Sequence, residues 1–157
     1  SGLACHPLLT EELFFITSRK DAAGRERRDV SFEEASRRPF VLPSVGNGLR
    51  AAVEGHFRAR SLPLDVKYEV DAIALITQCV DAGLGASLLP GGCLERDANY
   101  ARMWAGPFEE GGCHRGIILC HAEKATISPA AGRIMELVEE VVHDLVSRGR
   151  WMGARFE

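Results

Sequence analysis

Residues Asp71 to Pro90, DAIALITQCVDAGLGASLLP, decide how this chain folds. The run from 72 to 82 is apolar at almost every position, too long for a strand and too dense for a surface helix. A helix of this kind must be covered on nearly every side. Gly83 stops it, because glycine accepts the left-handed conformation at a helix C-terminus. Ala86 to Leu89 is short and wholly apolar, so it reads as a buried strand ending at Pro90.

Upstream, Val66, Tyr68 and Val70 alternate with Lys67 and Glu69, which predicts a half-buried strand over 65–70. Leu62-Pro63 separates it from a helix over 49–60, where Leu49, Ala52, Val53 and Phe57 recur at helical spacing. Before that helix come the small-residue loop Ser44–Gly48 and a brief strand, Phe40–Pro43. Ser31 followed three residues later by Glu34 has the capping-box form for a short helix that cannot outlast Pro39. Residues 19–29 read as a polar surface loop. Leu13-Phe14-Phe15-Ile16 predicts a buried strand over 12–17, with Pro7 ending whatever precedes it. Downstream, a helical turn is expected near 94–97, strands at 102–104 and 116–120, and an amphipathic helix from Ser128-Pro129 to Arg148. The tail GRWMGARFE receives no assignment. Strands alternating with helices predict an α/β chain with largely parallel pairing.

Composition excludes several functions. Lys and Arg number 19 against 22 Asp and Glu, a net charge of -3, which lacks the clustered basic excess of a nucleic-acid binder. No apolar run approaches the ~20 residues of a membrane span, and SGLACHPLL lacks the plan of a signal peptide. Five irregularly spaced cysteines suit a reducing cytoplasm better than a disulfide framework.

Nucleophilic catalysis needs an activated Ser or Cys beside a base. There is no G-x-S-x-G elbow, and the five histidines stand in no signature context, so the chain is expected not to be an enzyme. Cys5-His6, Cys113-His114 and Cys120-His121 repeat one dipeptide. Cys113 and Cys120 would face opposite sides of a strand, and no C-x-x-C accompanies them. Buried thiols and surface histidines explain them, with no metal and no cofactor expected. Gly83-Leu84-Gly85 follows a helix and precedes a strand, the reverse of a dinucleotide fingerprint. Helix N-termini remain. Two helices start directly after strands, at Ser44–Gly48 and at Asp71–Ile73. If the strands are parallel neighbours, both starts open at one sheet edge, where α/β sheets bind ligands. Ser44 and Asn47 offer side chains there, and Asp71 is expected to cap its own helix.

The phrases PLLTEELFFI, VSFEEASRRPFVLPSVGNGLRAAVEGHF, DVKYEVDAIALITQCVDAGLGASLLP and ISPAAGRIMELV resemble the effector-binding, C-terminal domain of LysR-type transcriptional regulators. The most specific is the apolar helix leading into V-x-A-G-L-G-x-x-L-L-P, and the tail resembles the nitrogen-assimilation-control subgroup. The resemblance implies a periplasmic-binding-protein-like (type II) α/β fold, with the second lobe complete and the first partial. Residues 1–18 would hold the first crossover strand and a remnant of lobe I, 19–115 lobe II, and 116–157 the second crossover strand and a C-terminal lobe I helix. A helix-turn-helix and the start of lobe I would be missing, so a truncated fragment is expected.

By the same resemblance the interlobe cleft would take a small-molecule effector, expected to be a small anionic metabolite. Its contacts would be Ser44, Val45, Gly46, Asn47, Asp71, Ala72 and Ile73. The helix over 72–82 would pack on a second subunit through Leu75, Ile76, Cys79 and Val80, giving a homodimer or tetramer. DNA would be reached only through the absent helix-turn-helix, with no membrane partner and a cytoplasmic location. The rivals are a solute-binding protein of the periplasmic type and an effector-independent interaction module.

Overall fold

The computed structural model describes residues 2–23, 29–94, 102–109, 111–123 and 127–156. Its spine is β1 (Leu3–Ser18), far longer than the strand expected over 12–17. Pro7 does not end it. The proline sits where the pairing register shifts, between Pro7 and Leu9, a place where a missing N–H is tolerated.

The elements that follow are α1 (Phe32–Ala35), β2 (Phe40–Leu42), α2 (Gly48–Ala59), β3 (Val66–Glu69) and α3 (Ile73–Asp81). After them come β4 (Ser87–Pro90), α4 (Gly91–Leu94), β5 (Met103–Gly106), β6 (His114–Ala122), α5 (Pro129–Ser147) and β7 (Ala154–Arg155). Thus α4 begins directly after β4, earlier than the turn expected near 94–97, of which residues 95–97 lie outside the described residues. The same holds for residues 24–28 of the expected loop over 19–29. The tail left unassigned supplies β7. Ser31 caps α1 by accepting from the Glu34 amide, and Ser128 with Pro129 opens α5.

Largely parallel pairing is overturned. β1 runs antiparallel to β6 from Leu3 to Glu12, to β7 at Thr10 and Glu11, to β4 from Leu13 to Ile16 and to β5 from Phe15 to Ser18. Among the described strands, only β2 and β3 form a parallel ladder, and a parallel bridge joins Phe40 to Ala86 just before β4. The order through the core is therefore β3-β2-β4-β1-β5. The reason lies in the length of β1. Its first half is committed to β6, and the same strand continues into the second sheet against the direction of β4 and β5. β3 closes this sheet as an edge, which is why Lys67, Tyr68 and Glu69 are all exposed instead of alternating.

The core lies over this sheet. Leu13, Phe15, Ile16, Phe40, Val53 and Phe57 are fully or almost fully buried. Phe15 meets Phe40, Trp104 and Phe108 edge-on, and Phe32 stacks on Phe108 at 4.1 Å between ring centroids. α3 turns Ile76, Thr77 and Val80 into this core. It ends in a Schellman motif: Leu84 N–H donates to the Cys79 carbonyl at 3.0 Å and Gly83 N–H to the Val80 carbonyl at 2.9 Å. Gly83 takes φ +76°.

Gly85 serves a different purpose. A Cβ there would stand 2.7 Å from the Pro39 carbonyl oxygen, so the strand entering β4 can approach β2 only without a side chain. Gly85→Ala is expected to cost about 1–3 kcal/mol, the usual penalty for overpacking, measured by urea unfolding. An unchanged midpoint would show that the backbone at Pro39 yields freely.

Candidate functional site

β2 and β3 are parallel neighbours, so their carboxyl ends lie at one edge of the sheet. Pro43 leaves β2 into a tight turn, Ser44-Val45-Gly46-Asn47, closed by Asn47 N–H donating to the Ser44 carbonyl at 3.2 Å. Gly46 has φ +96° at the third position, as a type II turn requires. Asn47 then caps α2, its side-chain oxygen accepting from Leu49 N–H at 2.9 Å. Its side chain is thus partly spent on the helix.

Asp71 does not cap α3, contrary to expectation. The N-cap is Ala72, and no side chain caps that helix. The Asp71 carboxylate reaches across the edge instead. It accepts from the Ser44 backbone N–H at 3.0 Å and from the Ser44 hydroxyl at 2.8 Å. Neighbouring parallel strands bring the two loops within side-chain reach, and an unengaged amide on the turn outcompetes the local cap. These bonds, the backbone one first, hold the Asp71 carboxyl below the usual carboxylate range. All seven expected ligand contacts therefore meet at one edge. Ser44 is half-buried, and Val45, Gly46, Asn47, Asp71, Ala72 and Ile73 are exposed.

Two features escaped sequence reasoning. Arg50, only 8% exposed, lies beneath the turn. Its guanidinium bonds Glu54 at 2.6 Å, Glu69 at 3.2 Å and the Pro43 carbonyl at 3.1 Å, tying α2 and the ends of β2 and β3 together. An arginine inside the apolar stripe of α2, four residues before a glutamate, was the available signal. The second is a cavity of about 410 Å³ beside the end of β4, lined by Glu11, Pro90, Arg115, Leu145, Arg150 and Trp151 among others. Within its wall the buried Glu11 carboxylate pairs with Arg115 at 2.6 Å and accepts from the Trp151 indole at 3.0 Å. Only the strand pairing puts Glu11 opposite Arg115, and no local pattern announces it.

The expected subunit-contact residues separate. Leu75 is 48% exposed and Cys79 half-buried, whereas Ile76 and Val80 are fully buried in this chain's own core. The helix has one inward face, so residues 76 and 80, four apart, point the same way into it. They are core residues and cannot form a contact surface. The cysteines also differ from expectation. Cys113 is buried, its thiol pushed up to about 12 by desolvation, but Cys5 and Cys120 are exposed. Among the described residues, no group of three or more His, Cys, Asp or Glu side chains could hold a metal, and no helix is long and apolar enough to cross a membrane.

Residues 1–142 match the family model of the LysR substrate binding domain. The nitrogen assimilation regulatory protein nac of Klebsiella aerogenes is 26% identical over 148 residues, covering 94% of this chain and 46% of that protein. The chain spans about half the length of the two nitrogen assimilation regulators it matches, 46% and 48% of them. Among solved structures, the effector binding domain of QuiR in complex with shikimate superposes with a TM-score of 0.77 at 16% identity, covering 91% of this chain and 66% of the other. The Synechocystis PCC6803 CcmR regulatory domain in complex with 2-PG gives 0.77 at 19% identity, covering 89% and 67%. These likenesses show the fold, that of the periplasmic-binding-protein-like type II effector domains.

The Ser44–Asp71 bonds carry a pH signature. A carboxyl with a lowered folded-state value contributes stability above its unfolded value and loses it as pH falls through the folded one. The Ser44 amide resonance is therefore expected to be flat at neutral pH and to move only below the usual carboxylate range, with Asp71→Ala removing the inflection. A midpoint at or above the ordinary aspartate value would refute the bond.

Proposed function

Because this chain belongs to the LysR substrate binding domain family, we propose that it is the effector-sensing part of a LysR-type transcriptional regulator, working in the cytoplasm and not as an enzyme. The observation that carries this reading is the pair of helix starts at one sheet edge, coupled by the Ser44–Asp71 bonds. In the proposal, Ser44 to Asn47 and Asp71 to Ile73 are the second-lobe wall of the effector cleft. Residues 1–18 are the first crossover strand and a remnant of lobe I, 19–115 lobe II, and 116–157 the second crossover strand and a lobe I helix. DNA is contacted through a helix-turn-helix elsewhere in the parent protein.

The ligand is a small metabolite with an anionic group. Its support is the start of α3, where no side chain competes for the first backbone amides. The Asp71 charge opposes an anion, and its carboxylate is already engaged by the Ser44 amide and hydroxyl. Binding that favours one placement of the lobes over another shifts the assembly by that difference in affinity. Uncovered apolar side chains on two helices support an oligomer of two-lobed subunits. On α3, Ile73 and Leu75 are exposed; on α5, Ile134, Leu137 and Val141 are exposed while only Val142 is buried.

Calorimetry of the full regulator against small carboxylates and phosphates tests the site. Val45, 76% exposed at the tip of the turn, is the cleanest probe. Val45→Asp is expected to weaken an anionic effector about tenfold, roughly 1.4 kcal/mol, with an unchanged unfolding midpoint. Equal affinity would remove the turn from the site.

Sedimentation separates the two faces of α3. Leu75→Asp is expected to lower the assembly state of a folded protein. Ile76→Asp is expected to unfold it, because an isolated charge would enter the core. Normal assembly of Leu75→Asp would take α3 out of the subunit contact.

A further inference from the structure

The three Cys-His dipeptides are not equivalent once the chain folds. β1 and β6 pair in a register that sets Cys5 directly opposite Cys120. Opposed residues in an antiparallel ladder have Cα atoms about 4.5–5.5 Å apart, inside the range of about 4.4–6.8 Å that a disulfide spans. The two sulfurs lie 3.0 Å apart, with the Cys120 S–H donating to Cys5, and both residues are exposed. His6 and His121 stand opposite Leu119 and Ala4, so they project from the other face, where their rings stack with centroids 5.5 Å apart. The remaining cysteines are placed differently. Cys113 is buried, and Cys79 and Cys93 lie on α3 and α4, each only partly exposed.

We propose that Cys5 and Cys120 are a redox modification site, oxidised by small disulfides or hydroperoxides to an intrachain disulfide that fastens β1 to β6. With oxidised glutathione, one cysteine thiolate attacks a glutathione sulfur and releases a glutathione thiolate. The other cysteine thiolate then attacks the protein sulfur of the mixed disulfide and releases the second glutathione. With a hydroperoxide, the first thiolate cleaves the O–O bond to give a sulfenic acid and an alcohol, or water from hydrogen peroxide. The second thiolate displaces hydroxide from the sulfenic sulfur. In both cases the two thiols give up two electrons and two protons, and the oxidant is reduced by the same amount. Exposure makes the bond accessible to reductants as well, as in labile disulfides. The staple closes the part of the ladder beyond the register shift at Pro7, and it links positions 115 residues apart in the chain. It therefore constrains the unfolded state strongly.

The test is to incubate the intact chain with oxidised glutathione, then quantify thiols and map linked peptides by mass spectrometry. The expected result is the loss of two thiols, a mass decrease of about 2 Da for the two hydrogens removed, and a peptide joining Cys5 to Cys120. Dithiothreitol should reverse it, and the unfolding midpoint should rise on oxidation. Cys5→Ser and Cys120→Ser should each abolish the linkage while far-UV circular dichroism stays native. Prior alkylation of the native wild-type protein should abolish it equally, which keeps the test valid if a variant misfolds. Linkage through Cys79 or Cys93, intermolecular dimers alone, or stable glutathione adducts without a cross-link would overturn the assignment.

Discussion

Every backbone N–H and C=O buried in β1 needs a partner, and no single strand supplies them along its whole length. β6 and β7 serve the first half; β4 and β5 serve the second. That division makes one extended segment a member of two sheet regions, and it makes the central pairing antiparallel. Side chains reinforce the junction. Glu11, 2% exposed, would be costly as an isolated charge, so Arg115 across the ladder and the Trp151 indole from the tail both converge on it. The tail is held in turn by β7 and by the glycines that open α4, since a Cβ on Gly91 would collide with the Met152 backbone.

The candidate edge follows from the parallel part of the sheet. Two neighbouring strands end together, and their loops compete for the same polar groups. Asp71 binds the amide and hydroxyl of Ser44 and not the start of its own helix, which leaves α3 without a side-chain cap. Arg50 fastens the same region from below, where its charge is met by two carboxylates and a carbonyl. The result is a turn held rigidly at its base and open at its tip.

α3 buries part of its apolar surface and leaves the rest uncovered. Ile76, Thr77 and Val80 close the core, while Ile73 and Leu75 stay uncovered. α5 repeats the theme, with an apolar stripe that the described residues leave mostly exposed. Isolated exposed apolar side chains are ordinary on any protein surface, and the α5 stripe is more than that. On α3 the 3.6-residue period brings Ile76 and Val80, four apart, onto one inward face, and on α5 it brings Ile134, Leu137 and Val141 onto one outward face.

Much of the fold was legible locally. The Ser31 cap, the Gly83 stop, the helices from Gly48 and Ile73, and the Ser128-Pro129 start all depend on contacts within a few residues. The grouping of residues 44–47 with 71–73 was legible too, because strand-loop-helix order repeats twice along the chain. What sequence could not contain was pairing. The length and direction of β1, the diversion of Asp71 from α3 to Ser44, the Glu11–Arg115 pair and the meeting of Cys5 with Cys120 join residues 27 to 115 positions apart. The two ladder pairs depend on register, and a one-residue slip would send their side chains to the other face. Local chemistry therefore determined the elements and their caps, and tertiary structure alone decided which side chains meet.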